Sequence, residues 1–206
     1  MVEILIRTGP YGDHFGVVAG GLTFSRLSAA THGIDFGALE PRVPEVLRTR
    51  SGLIELAPPA IVDDLTRLTV SLSAQPDDGL LLVGRRDLRS NNSWMHNVAQ
   101  LVKGPARCTL HIHPEDAAAR GLKDGAAARV AGRTGTLMAP VQITDSVMRG
   151  VVCLPHGWGH AMPGSRQGVA SERPGVNSNL LTDGERLDPL SGNAVLNAIP
   201  VTVESA

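Results

Sequence analysis

This sequence predicts a mainly β protein with short helices, an α+β arrangement whose larger part is a closed or nearly closed barrel. Three observations carry that expectation. Glycine and proline number 23 and 14 among 206 residues, which multiplies turns and keeps helices short. From residue 79 onward, apolar runs of strand length alternate with Gly-containing turns at close spacing. Hydrophobic residues make up 42% of the chain and charged residues 19%, the composition of a chain able to bury a core. Several short strands that close on themselves also leave no exposed sheet edge.

The length allows one domain with an appendage or two small domains, with the boundary expected between residues 78 and 79. In the first part, 1–78, Gly9-Pro10-Tyr11-Gly12-Asp13 is turn chemistry, and a short helix is expected over Leu22–Ala30, stopped by His32-Gly33. Pro41 to Pro44 form a connector. Ser51-Gly52 should turn the chain into a short strand at Leu53–Leu56, and the apolar spacing of Ala60–Leu72 suits an amphipathic helix. Ser73–Asp78 reads as a linker. The whole segment is an irregular helical and strand connector that buries little by itself.

The barrel should begin at Leu80–Val83, a continuous apolar run, followed by an alternating strand at Thr109–His113. A helix opens at His113-Pro114-Glu115-Asp116, with a polar cap, Pro at the first helical position and acids in the first turn, and closes at Gly121. Lys123-Asp124-Gly125 and Arg133-Thr134-Gly135 are turns that introduce strands at Ala127–Ala131 and Thr136–Ile143. Val151–Leu154 is a further strand.

A formal net charge of −1 without a Lys/Arg block argues against nucleic acid as a partner. No basic-then-apolar leader opens the chain, and no run of about 18 apolar residues suggests a membrane span. A cytoplasmic protein is expected. Cys108 and Cys153 are isolated, so no disulfide framework, zinc knuckle or iron–sulfur motif is expected. Phosphate-loop and G-x-S-x-G patterns are absent, and around Gly157 the G-x-G-x-x-G pattern fails at Met162. No residue of this chain is expected to be catalytic or to ligate a metal.

Two loops that follow strands carry the chemistry. The first, Gly84–Asn97, combines the guanidiniums of Arg85, Arg86 and Arg89, the hydroxyls of Ser90 and Ser93, the amides of Asn91, Asn92 and Asn97, the indole of Trp94 and the imidazole of His96. Guanidiniums suit phosphate oxygens, amides both donate and accept, and an indole stacks. That inventory suits a nucleotide-like ligand; a solvated loop whose Asn and Ser side chains cap turns is the other reading. The second loop holds His156, Gly157, Trp158 and His160. Its glycines and the lack of an adjacent Glu exclude a helical zinc site, and His156 as a structural imidazole or Trp158 as a core plug remain open. Asn177-Ser178-Asn179 offers further amides. His111 and His113 share a strand face and read as structural.

Four motifs in order resemble the C-terminal dinucleotide-binding domain of the molybdopterin oxidoreductases, the dimethyl sulfoxide reductase and formate dehydrogenase type. They are L-L-V-G-R-R-D-L-R-S-N-N-S-W-M-H-N, H-P-E-D-A-x-x-x-G-L-K-D-G, G-V-V-C-L-P-H-G-W-G-H and N-S-N-L-L-T-D-x-x-x-L-D-P-L-S-G-N. The resemblance covers residues 79 to 203, and G-P-Y-G-D-H-F-G and S-G-L-I-E-L extend it toward the N-terminus. It implies a double-psi β-barrel that holds molybdopterin guanine dinucleotide, carrying Mo or W, for two-electron chemistry on a small substrate. By the same resemblance, Arg86, Arg89, Ser90, Asn91, Asn92 and Trp94 form the first cofactor loop, with Arg85 and Ser93 in the same stretch and His96 and Asn97 at its end. His156, Gly157 and Trp158 form the second, with Asn179 near the pterin. Metal ligands and any iron–sulfur cluster belong, in such enzymes, to upstream domains or a subunit that this chain lacks, so the chain alone is expected to be inactive. The alternative readings are a double-psi protein-interaction module, since fold alone does not fix function, or a truncated remnant.

Overall fold

The computed structural model describes residues 1–73 and 79–206 and divides the chain into two compact units, Met1–Leu56 and Ala57–Ala206. The first unit contains helix α1 (Val2–Thr8), a 3-10 turn (His14–Gly16) and helix α2 (Phe24–Ala29). The helix expected after Leu22 is present, capped by Thr23, whose hydroxyl accepts from the Arg26 amide at 3.1 Å. The loop between α1 and α2 is tied by a two-pronged Arg7–Asp13 pair, both bonds 2.7 Å. Arg7 beside Asp13 holds that carboxyl below its ordinary range. The strand expected at Leu53–Leu56 does not form. The Leu53 carbonyl accepts from Thr49 Oγ1 at 2.7 Å and its amide donates to Ser51 Oγ at 3.2 Å, so local side chains satisfy the groups a ladder would need.

The second unit begins with helices α3 (Pro59–Asp63) and α4 (Leu65–Ser73). The single helix expected over Ala60–Leu72 is thus interrupted at Asp64, whose carboxylate takes the Arg67 guanidinium in the following turn, at 2.8 and 2.6 Å. Of the expected linker, Ser73 ends α4 and residues 74–78 lie outside the described residues.

Six strands then close the barrel: β1 (Leu80–Arg85), β2 (Leu110–Ile112), β3 (Ala127–Ala131), β4 (Thr136–Ile143), β5 (Val151–Pro155) and β6 (Ile199–Ser205), in the order β1-β5-β2-β4-β3-β6. Parallel pairs β1/β5 and β2/β4 are joined by antiparallel contacts elsewhere. Consequently β5 lies between β1 and β2, which one connection links, and β2 lies between β4 and β5, which another links. Two such threaded, interlocked units are the double-psi arrangement.

Alternation fills the interior. Leu80, Leu82, Leu110, Ile112, Val130, Leu137, Val141, Val152, Leu154, Ile199, Val201 and Val203 point inward, and together with small alanines form one core. Among the described residues, no hydrophobic side chain before Leu80 is buried. Helix α5 (Pro114–Ala119) follows β2 as expected, with His113 Nδ1 accepting from the Glu115 amide at 3.2 Å and Gly121 in the left-handed region at φ +62°. A further short helix, α6 (Gly168–Glu172), lies in the long segment after β5.

Candidate functional site

Parallel pairing determines where the two candidate loops meet. Arg85, the last residue of β1, stands in register with Pro155, the last of β5, and the His156 amide donates to the Arg85 carbonyl at 3.3 Å. Loops that leave neighbouring parallel strands at the same end must lie side by side. Here the approach is so close that a Cβ on Gly157 would stand 2.2 Å from the Asn92 carbonyl oxygen. Gly157 also has φ +85°, so both the backbone conformation and the space require glycine. Gly159, at φ +111°, makes the equivalent approach to Asn177, where its Cβ would come within 2.6 Å of a side-chain carbon. The second loop is therefore wedged between the first loop and the segment that carries Asn179.

That segment is itself anchored. Ser178–Leu181 forms a 3-10 turn, with Asn177 Oδ1 accepting from the Asn179 amide at 3.0 Å. Thr134 Oγ1 in the β3–β4 turn donates to the Thr182 carbonyl at 3.1 Å, and Arg133 grips Asp183 with two bonds. The Arg133 guanidinium holds the Asp183 carboxyl down to about 2, so this clamp stays charged down to strongly acid pH.

The candidate residues separate by what they touch. Arg86 donates to Asn92 Oδ1, and Arg86, His156, Asn179, Ser178, Thr182 and Asn197 line a pocket of about 220 Å3 above β1 and β5. His156 Nε2 lies buried in this neighbourhood without a hydrogen-bond partner among the described residues. Burial, with Arg86 nearby, pushes its imidazole below the ordinary histidine range, which keeps it neutral. Asn91 and Asn92 adopt left-handed φ values of 42° and 61°, conformations that asparagine tolerates better than most residues. Arg89 is exposed, Trp94 is 82% exposed, and Ser93 is half-buried.

Two candidates hold the scaffold. Arg85 donates to the carbonyls of Thr109 (2.9 Å), Cys153 (2.8 Å) and Arg107 (2.8 Å) and to Thr109 Oγ1 (3.2 Å). Asn97 Oδ1 accepts from the Val169 and Ala170 amides at 3.0 and 3.2 Å and so caps α6. Ser90, His96 and Trp158 form a buried cluster beneath the loops, with the His96 and Trp158 rings stacked at 3.9 Å.

Sequence reasoning missed Asn197, whose Oδ1 accepts from the Gly84 amide at 2.8 Å, and the place of His160 beside His96. No pattern marks Asn197; His160 stood in view but only as half of a rejected zinc motif. A larger cavity of about 460 Å3 has mainly apolar walls, including Val102, Pro105, Pro174 and Val176, and shares Trp158 with the loops.

The fold is a double-psi barrel whose two neighbouring strand-end loops are rich in guanidinium, amide and imidazole groups. A family model described as "Molydopterin dinucleotide binding domain" matches residues 80–200, and the chain belongs to that family. A 56-residue stretch is 43% identical to the dimethyl sulfoxide/trimethylamine N-oxide reductase of Rhodobacter capsulatus, covering 27% of this chain and 7% of that protein. A 46-residue stretch is 46% identical to the trimethylamine-N-oxide reductase of Haemophilus influenzae, covering 22% of this chain and 6% of the relative. Over 55 residues the chain is 42% identical to the biotin sulfoxide reductase of Cereibacter sphaeroides, covering 27% of this chain and 7% of that enzyme. The chain thus spans a small part of the length of these curated relatives. Among solved structures, acetylene hydratase from Pelobacter acetylenicus shares the fold, with a TM-score of 0.53 at 20% identity over 69% of this chain and 20% of that one.

The chain is therefore a molybdopterin-dinucleotide-binding module of the molybdopterin oxidoreductase type, and its cofactor is molybdopterin guanine dinucleotide. The residues present fit such a group. An orphaned imidazole nitrogen, an arginine and paired amides around one pocket match a ligand with phosphate oxygens and aminopyrimidinone edges. No helix among the described residues is long and apolar enough to cross a membrane.

Proposed function

We propose that the loops 84–97 and 156–160, with the segment 178–182, hold the dinucleotide in the pocket between them. Arg86 and Arg89 take phosphate oxygens, as forked guanidiniums do. Asn91, Asn92, Asn179 and His156 pair with ring edges, and Trp94 offers a stacking face. Ser93 adds a hydroxyl donor. Ser90, His96, Gly157 and Trp158 shape the loops, while Arg85 and Asn97 hold the backbone beneath them. The observation that carries this reading is the buried, unpaired Nε2 of His156, a residue that lines one pocket with Arg86 and Asn179. A buried polar atom without a partner costs stability, about 1–3 kcal/mol, unless a ligand satisfies it.

When bound, the cofactor supplies two-electron redox chemistry at its metal. This chain contributes binding, orientation and electrostatics, and upstream catalytic domains or a separate polypeptide supply the metal ligand and substrate pocket, so the chain alone does not turn over. The lack of any buried hydrophobic side chain before Leu80 among the described residues supports such a partner for residues 1–73. Cys108 and Cys153 are both buried and free, in keeping with a cytoplasmic setting.

The test is the double variant Arg86→Ala with Asn92→Ala, produced in a host that makes the dinucleotide. Oxidised-pterin fluorescence of the denatured protein should show at least a roughly tenfold loss of cofactor per chain, the equivalent of about 1.4 kcal/mol. Undiminished retention in the double variant would remove these loops from the site.

A further inference from the structure

His96 is 1% exposed and both of its ring nitrogens are engaged. Nε2 lies 2.7 Å from Ser90 Oγ in its own loop, and Nδ1 lies 2.8 Å from His160 Nε2 in the other loop. The two imidazoles meet nearly edge-on, with centroids 5.0 Å apart and planes at 79°. Through this one bond the buried base of the first loop is joined to the far end of the second, beyond Trp158.

We propose that His96 and His160 form a positioning latch, which holds the two loops together while the pair carries no proton or one and opens when it takes a second. The inference rests on the reading of these loops as the cofactor site, and it adds a regulation that this reading does not contain.

Hydrogen-bond bookkeeping dictates the behaviour. With both rings neutral, one imidazole donates across the 2.8 Å contact and the other accepts, and Ser90 Oγ serves His96 Nε2 as donor or acceptor accordingly. With one proton on the pair, either ring can be the cation, because its neutral neighbour still presents a lone pair. Trp158 stacks at 3.9 Å on His96, and its face favours an imidazolium there. With two protons every ring nitrogen is a donor, the bond has no acceptor, and two cations face each other in a partly buried site.

The surroundings set where this happens. Burial and then the His160 charge lower the His96 titration, Asp87 and a backbone hydrogen bond to Gly157 raise it, and Arg107 lowers it. Burial lowers that of His160. Both rings therefore titrate below their ordinary value of about 6.5. A histidine depressed in the folded state stabilises above the unfolded value, and this contribution is lost as pH falls through the lowered one. The latch is closed at neutral pH and opens in acid.

The full chain tests this without cofactor. Two-bond proton–nitrogen spectra of the histidine rings should show the pair titrating in two steps more than about one pH unit apart. Across the second step, amide exchange in 90–96 and 156–160, corrected for intrinsic rates, should rise roughly tenfold. His160→Gln keeps a partner for His96 Nδ1 that cannot charge. It should fold, show one step, and abolish the acid-induced rise. Independent single-proton curves for His96 and His160 in the unaltered chain, or an exchange rise that persists in His160→Gln, would overturn the latch. Failure of the cofactor reading has a different signature: a chain whose histidines titrate as stated, yet which carries no oxidisable pterin at neutral pH when made in a competent host, keeps the latch and loses the ligand.

Discussion

Replacing Gly157 by alanine is expected to cost about 3 kcal/mol, from about 1–2 for a left-handed backbone and about 1–3 for overpacking. It should also strip the chain of its cofactor. A methyl group at this position would meet the Asn92 carbonyl oxygen at 2.2 Å and its carbon at 2.7 Å. Both atoms are backbone, so relief requires one loop to retreat from the other. Gly164→Ala is the control, because Gly164 has φ +87° but nothing within 4 Å of its added Cβ. That variant carries the conformational penalty alone and keeps its ligand. The difference between the two midpoints in urea measures the loop–loop contact, and equal midpoints would mean the loops are not in contact in solution.

Replacing Arg85 by leucine should destabilise the barrel by about 3–5 kcal/mol, since bonds to a charged donor contribute about 1.5–3 kcal/mol each and the orphaned carbonyls remain half-buried. The guanidinium reaches carbonyls in three places: Cys153 in β5, Thr109 ahead of β2, and Arg107 in the connection. It stitches the β1–β2 crossover onto β5, the strand threaded beneath it. Arg85→Lys should not rescue, because a single ammonium lacks the fork that spans these acceptors. The neighbouring Arg86→Ala is expected to change stability by less than about 0.5 kcal/mol, as for most exposed positions, while weakening the hold on the dinucleotide. On the proposed reading two consecutive arginines divide between scaffold and ligand. Denaturant melts that gave Arg85→Leu the stability of Arg86→Ala would contradict this division.

Much of the barrel was legible because its strands obey simple alternation. Leu110 and Ile112 flank an outward His111, Ala128 and Val130 flank Arg129, and glycine-bearing turns punctuate the order. Strand β6 is absent from the expected strands, although Ile199, Val201 and Val203 alternate around Pro200. Leu53–Leu56 misled in the opposite sense: a largely apolar stretch that pairs with no strand among the described residues, with the Leu53 carbonyl and amide taken by Thr49 and Ser51. At Asp64 a carboxylate suited to a helix start broke what apolar periodicity drew as one helix.

The candidate site was legible as two loops with groups suited to a nucleotide-like ligand, not as one place. Their adjacency follows from the parallel pairing of β1 with β5, strands distant in sequence, which no local pattern encodes. The division of labour within the first loop was hidden for the same reason. Arg85 and Arg86 are the same residue type in sequence, and alternation at the strand end sets Arg85 on the outward face with Leu81 and Val83, where it reaches the carbonyls of Cys153, Thr109 and Arg107, and leaves Arg86 to meet Asn92. Asn97 likewise looks like a ligand amide until α6 arrives above it. His160 gains its meaning from His96, a residue 64 positions away.

The most direct test of the central claim is native mass spectrometry of the chain purified from a host that makes molybdopterin guanine dinucleotide, beside the Gly157→Ala chain from the same host. The account predicts that the unaltered chain carries a mass increment of one dinucleotide per binding site and that Gly157→Ala carries none. An unaltered chain and a Gly157→Ala chain that retain the dinucleotide equally would place the cofactor somewhere other than between these two loops.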